Sequence, residues 1–104
     1  KAVGMTSLKP SPIAPDLLPM ASAVPGYEFS LWWGMLAPAG TPPAVVDKLN
    51  AAVNQVLAKP EMKSMFLREG AETRPMTPAQ FGAVVAGDID RWKKLAKQQN
   101  ILAD

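Results

Sequence analysis

The spacing of apolar residues along this chain changes character near residue 40. Between 27 and 36 apolar side chains occupy both alternating sets: Phe29, Leu31, Trp33 and Met35 on one, Trp32 and Leu36 on the other, with Ser30 and Gly34 the exceptions. A run apolar on both faces reads as a strand covered on both sides. From Val45 the period becomes three to four, through Val46, Leu49, Ala52, Val53, Val56 and Leu57, with Asp47, Lys48, Asn50, Asn54 and Gln55 opposite. That spacing predicts an amphipathic helix reaching about Ala58. Ala37-Pro38-Ala39-Gly40 separates the two patterns, and Thr41 is the expected N-cap, with Pro42 at the first helical position.

The same reasoning extends outward. Residues 1–7 read as a short strand, and 8–25 as a stiff, irregular connector, because five prolines (Pro10, Pro12, Pro15, Pro19, Pro25) fix φ and restrict their predecessors. One helical turn fits at 20–23, and Pro25-Gly26 is a turn. Pro60 opens a second helix with Met62, Met65 and Phe66 inward and Gly70 as its C-terminal cap. Thr77-Pro78-Ala79-Gln80 is a capping box for a third, striped by Phe81, Val84, Val85, Asp88, Ile89, Trp92, Leu95 and Ala96 and ending near Gln99. The fold class is therefore α/β, with about two strands and three helices.

Charge sharpens this picture. The first 40 residues carry only Lys1, Lys9, Asp16 and Glu28, so a long uncharged stretch is expected to lie under other protein. Eleven basic against nine acidic residues is too even a balance for an electrostatic nucleic-acid binder. No apolar run approaches the roughly 18 residues that span a bilayer. The chain has no cysteine and no histidine, which removes disulfides, thiolate chemistry, the usual general base and the commonest metal ligand. No cofactor and no metal are expected, and no enzyme activity.

Few residues are equipped for chemistry. Asp88 and Asp90 point about 200° apart on a helix and do not form a catalytic pair. Asp90 is placed to pair with Lys94, while Asp88 pairs with Arg91 or braces a neighbouring element. Arg91, Lys93, Lys94 and Lys97 read as a solvated helix face. Trp32 and Trp33 point to opposite faces of their strand, one into packing and the other a candidate cleft wall. Thr6, Ser7 and Ser30 offer hydroxyls near strand ends, where α/β sheets bind ligands, against a plain hydrogen bond to nearby backbone. Thr6, Ser7, Ser30, Trp32 and Trp33 are thus the candidate ligand-binding residues.

In order along the chain, KAVGMTS (1–7), APDLLP (14–19), VPGYE (24–28), SLWWGMLAPAGTPP (30–43), VVDKLN (45–50), NQVLAKPEM (54–62) and EGAETRPMTPAQF (69–81) resemble the solute-binding proteins of tripartite tricarboxylate transporters, the TctC or Bug family. Asp88, Trp92 and Ile101 keep the register of that family's last helix. Asp88 replaces the usual Glu and Asn100 the usual Gly, and Leu18–Val24 departs from the family's loop.

This resemblance implies the C-terminal third of a periplasmic, two-lobed binding protein of type II topology. It would capture small carboxylates (di- or tricarboxylates, amino or aromatic acids) for membrane transporter subunits. Residues 1–26 would end the second lobe with the Pro-rich connector. Residues 27–43 would cross the hinge, and 44–104 would complete the first lobe. The main ligand-gripping loops would lie upstream of Lys1, and exposed strand surface would favour dimerisation or swapping. The alternative is a small interaction module whose uncharged N-terminal half pairs with a partner chain.

Overall fold

The computed structural model describes residues 2–101. Three helices dominate: α1 over Pro43–Ala58, α2 over Pro60–Arg68 and α3 over Pro78–Gln98, with a single 3₁₀ turn at Met20–Ser22. Lys1 of the expected first strand, and 102–104 of the expected C-terminal part, lie outside the described residues.

The helix ends follow local chemistry closely. Thr77 accepts from the Gln80 backbone N–H while the Gln80 side chain accepts from the Thr77 N–H, completing the capping box. Gly70 takes φ 76°, with its N–H on Leu67 and that of Ala71 on Phe66, which is a Schellman closure of α2. Asn100 closes α3 in the same way at φ 54°, its N–H on Lys97 and that of Ile101 on Ala96. The start of α1 departs from expectation by one residue. Pro42 occupies the N-cap and Pro43 the first turn, while the Thr41 hydroxyl donates backward to the Pro38 carbonyl at 2.8 Å. Thr41 therefore stabilises the preceding turn instead of capping the helix.

Neither expected strand forms among the described residues. The β pairing there is one isolated parallel bridge, Met5 to Pro19, built from Met5 N–H to Leu18 and Met20 N–H to Met5. Segment 27–36 donates from Phe29 to the Thr6 carbonyl, at 3.0 Å, and from Tyr27 to Val24. A strand exists only through its neighbours, and the described residues supply no ladder for this one.

Packing is correspondingly thin. α1 contacts both α2 and α3. Half-buried Val46, Val53 and Leu57 of α1, Met62 and Phe66 of α2, and Phe81, Val84 and Val85 of α3 form what core there is. Only Ser11 and Pro19 are buried among the described residues, and Ser11 keeps 7% exposure. The accessible surface is 8670 Å², against about 5,700 Å² for a compact monomer of this mass. The radius of gyration is 16.8 Å, against about 13 Å for a compact domain of this length. Val45, Leu49 and Val56 of α1 stay exposed, so its apolar stripe is wider than α2 and α3 cover.

Long-range polar ties compensate locally. Asn50 and Asn54 each donate to the Met76 carbonyl at 2.9 Å, and the Met76 N–H returns to Asn54 at 3.3 Å. These two side chains strap the α2–α3 connector onto α1. Ser11 donates to the Glu72 carboxylate at 2.6 Å and accepts from the Ile13 N–H, which anchors the Pro-rich connector to the same region.

Candidate functional site

The described residues converge most strongly where segment 27–36 lies along α3. Contacts run antiparallel: Glu28 meets Arg91, Phe29 meets Trp92, Trp32 meets Asp88 and Phe81, and Gly34 lies under the Phe81 ring. The α3 partners Phe81, Asp88 and Trp92 are seven and four residues apart, so they share one helix face. Exposure alternates across Leu31 at 74%, Trp32 at 39% and Trp33 at 80%, whereas Phe29, on the same alternating set as Leu31, also packs on α3 and Leu36, on the set of Trp32, is 77% exposed.

Asp88 organises this contact. Its Oδ2 accepts from the Trp32 indole N–H at 2.5 Å, and its Oδ1 accepts from Arg91 Nη2 at 2.5 Å. Arg91 also reaches Glu28 at 3.9 Å and stands 5.6 Å from the Trp92 ring centroid. Two edge-to-face aromatic pairs flank the polar centre, Trp32 on Phe81 at 5.2 Å and Phe29 on Trp92 at 6.0 Å. Each such pair contributes about 0.5–1.5 kcal/mol beyond its area, whereas the half-exposed Arg91–Glu28 pair contributes little. Each oxygen of the Asp88 carboxylate thus holds its own donor. Beside it lies an open groove of about 540 Å³, lined by Trp32, Val85, Ile89 and Trp92, with Asp88 and Lys93 as its polar groups.

The candidate residues divide clearly. Trp32 packs on α3, and Trp33 points to the opposite side, exposed. The Ser7 hydroxyl donates to the Lys9 carbonyl at 2.8 Å, which is the plain local bond. Thr6 meets the segment through its carbonyl, which places residue 6 beside Phe29 and Ser30. Asp88 both pairs with Arg91 and braces a neighbouring element, so the two alternatives coexist. The Asp90–Lys94 pair does not form among the described residues, as expected where two solvated side chains gain little by meeting. Asn50 and Asn54 read in sequence as a solvated face, yet they hold the connector. Their three- to four-residue spacing relative to Val46, Val53 and Leu57 is the signal that would have placed them at the packed edge.

Residues 1–101 match the family described as "Tripartite tricarboxylate transporter family receptor", TctC. The chain belongs to the TctC family. A UPF0065 protein from the clcB-clcD intergenic region of Pseudomonas knackmussii is 36% identical over 97 residues, covering 91% of this chain and 57% of its own length. Another UPF0065 protein, from the tcbD-tcbE intergenic region of a Pseudomonas species, is 33% identical over 106 residues, covering 100% and 32%. The BugT protein of Bordetella pertussis is 30% identical over 74 residues, covering 71% and 23%. No solved structure matches the chain. The chain thus spans between about half and a third of the first two relatives' lengths. TctC members are transport receptors and not enzymes. Among the described residues, no group of three or more acidic residues comes together as a metal site, and no helix is long and apolar enough to cross a membrane.

Proposed function

We propose that this TctC-family chain is the C-terminal part of a periplasmic receptor. The whole protein closes two lobes around a small carboxylate and passes it to membrane transporter subunits. The observation that carries this reading is the family match over residues 1–101 in a chain whose own apolar faces are uncovered. Leu31, Trp33 and Met35 on the outer side of 27–36 are between 70% and 80% exposed. Such a face on a soluble receptor is covered by further strands of the same polypeptide.

On this reading residues 1–26 end the second lobe, 27–43 cross between lobes, and 44–104 complete the first. The ligand is held by backbone N–H groups and hydroxyls in the closed cleft, with no covalent step. Thr6 and Ser30 are the hydroxyls this chain contributes near the crossing, since that of Ser7 donates to the Lys9 carbonyl. Trp33, free of α3, is better placed than Trp32 to wall a cleft. A carboxylate ligand class, covering di- and tricarboxylates and amino or aromatic acids, fits the transporter family's name and nothing finer.

Calorimetric titration of citrate and of a dicarboxylate tests the placement of the site. The 104-residue chain is expected to give no micromolar binding, and a longer receptor containing it is expected to bind one such carboxylate. Micromolar binding by the short chain would overturn the upstream placement. Failure of the longer protein across carboxylates would overturn the receptor reading.

A further inference from the structure

We infer that Ser11 and Glu72 are positioning residues: their bond fixes the Pro-rich connector against the α2–α3 connector and so sets Thr6 beside Phe29 and Ser30 at the crossing. The consequence for ligand binding rests on the receptor reading, whereas the positioning does not. Ser11 is the one buried polar residue among the described residues, at 7% exposure. Its hydroxyl donates to Glu72 Oε1 at 2.6 Å, across 61 residues of sequence, and accepts from the Ile13 N–H at 3.3 Å. That second bond occupies the oxygen and turns the single hydroxyl proton toward the carboxylate. Pro10 and Pro12 on either side restrict the Ser11 backbone, and the Ala14 N–H closes a turn onto its carbonyl at 3.2 Å.

The bond acts on Thr6 because residues 6–17 are closed at their base. The Met5 N–H donates to the Leu18 carbonyl at 2.9 Å, and the Met20 N–H returns to the Met5 carbonyl at 2.7 Å. Gly4 permits that approach, since a Cβ there would stand 3.2 Å from Met20 Cγ and 3.3 Å from the Leu18 oxygen. Thr6 follows directly and receives the Phe29 N–H at 3.0 Å. On the other side, Glu72 belongs to the connector that Asn50 and Asn54 clamp to α1 through Met76. Among the described residues, Ser11–Glu72 is the one hydrogen bond joining residues 2–26 to residues 43–101. It therefore refers the position of Thr6 to the helices, independently of the path through Phe29 and α3.

The test joins amide hydrogen exchange on the 104-residue chain to calorimetric titration of citrate and succinate into a longer receptor containing it. Ser11→Ala and Glu72→Ala are each expected to speed exchange at the Phe29 amide by about fivefold, the loss of one hydrogen bond to a charged group, while mid-α1 amides keep their protection. Glu72→Gln keeps an acceptor oxygen in the same place and should retain most of the Phe29 protection. In the longer receptor, both alanine variants should weaken the carboxylate that the wild type binds by about threefold, and Glu72→Gln by less. A Phe29 amide unmoved by both alanine variants would overturn the inference. So would a Gln variant as impaired as the Ala variant, or equal loss of protection in mid-α1. Faster Phe29 exchange with unchanged ligand affinity would overturn the consequence for binding alone. A wild-type receptor that takes up neither carboxylate would count against the receptor reading, with the Phe29 amide still deciding the positioning.

Discussion

The Phe81 ring rests against the backbone of Gly34, filling the space a Cβ would need. This contact sets how closely segment 27–36 approaches α3, because the same ring holds the Trp32 indole edge-to-face at 5.2 Å. Gly34→Ala is therefore expected to displace the ring and loosen the segment, costing about 1–3 kcal/mol as overpacking does. Near-UV circular dichroism should report loss of the Trp32 environment with α-helical signal retained. A double-mutant cycle with Phe81→Ala should show strong coupling, since removing the ring removes the clash. Additive effects would contradict this account.

Asn54 is the more important half of the connector clamp. It both donates to the Met76 carbonyl and accepts from the Met76 N–H, whereas Asn50 makes one bond to Met76, to its carbonyl, and accepts from the Asn54 amide at 3.2 Å. Asn54→Ala should destabilise by about 1–2 kcal/mol, and Asn50→Ala by less than about 1 kcal/mol. Amide exchange at Met76 reads the difference directly. Equal protection loss in the two variants would argue that the connector is held by other means.

The turn at Gly70 distinguishes backbone strain from contact loss. Nothing lies within 4 Å of its Cβ position, so the cost of Gly70→Ala comes from φ 76° alone. That cost is about 1–2 kcal/mol, or roughly a tenfold loss of protection at the Ala71 amide that closes the motif. Gly70→Asn should lose less, because Asn100 closes α3 natively at φ 54°. An Asn variant as impaired as the Ala variant would count against the strain argument.

Trp33, at 80% exposure, contributes to the uncovered side of the segment and not to its docking. Sedimentation of the chain is expected to show concentration-dependent self-association that Trp33→Gln weakens. The Trp32 indole resonance should stay where it is in that variant. Monodisperse wild-type monomer would instead favour the reading as a self-sufficient interaction module.

The helices were readable because their signals are local. A capping box, a glycine or asparagine at C′, and a proline in the first turn act within a few residues, and Thr77, Gly70, Asn100 and Pro60 each perform as their neighbours dictate. The start of α1 shows the limit even here. With Pro42 and Pro43 adjacent, either can open the helix, and the Thr41 hydroxyl donates to the Pro38 carbonyl instead of accepting from a helix N–H. The strands were not settled by sequence. Residues 27–36 carry a strand's composition, yet a ladder is a property of two segments, and among the described residues only Thr6 answers Phe29.

By itself, then, the amino-acid order determined the three helices, the C-terminal closure of α2, the capping box of α3, the family and the opposite orientation of Trp32 and Trp33. Tertiary structure decided which indole docks, that Asp88 receives it, and that Asn50 and Asn54 hold the connector. The reason is the range of the forces involved. Helix propensity and capping are settled within one or two turns. The partner of a carboxylate or an amide 56 or 22 residues away is settled only once packing has brought the segments together.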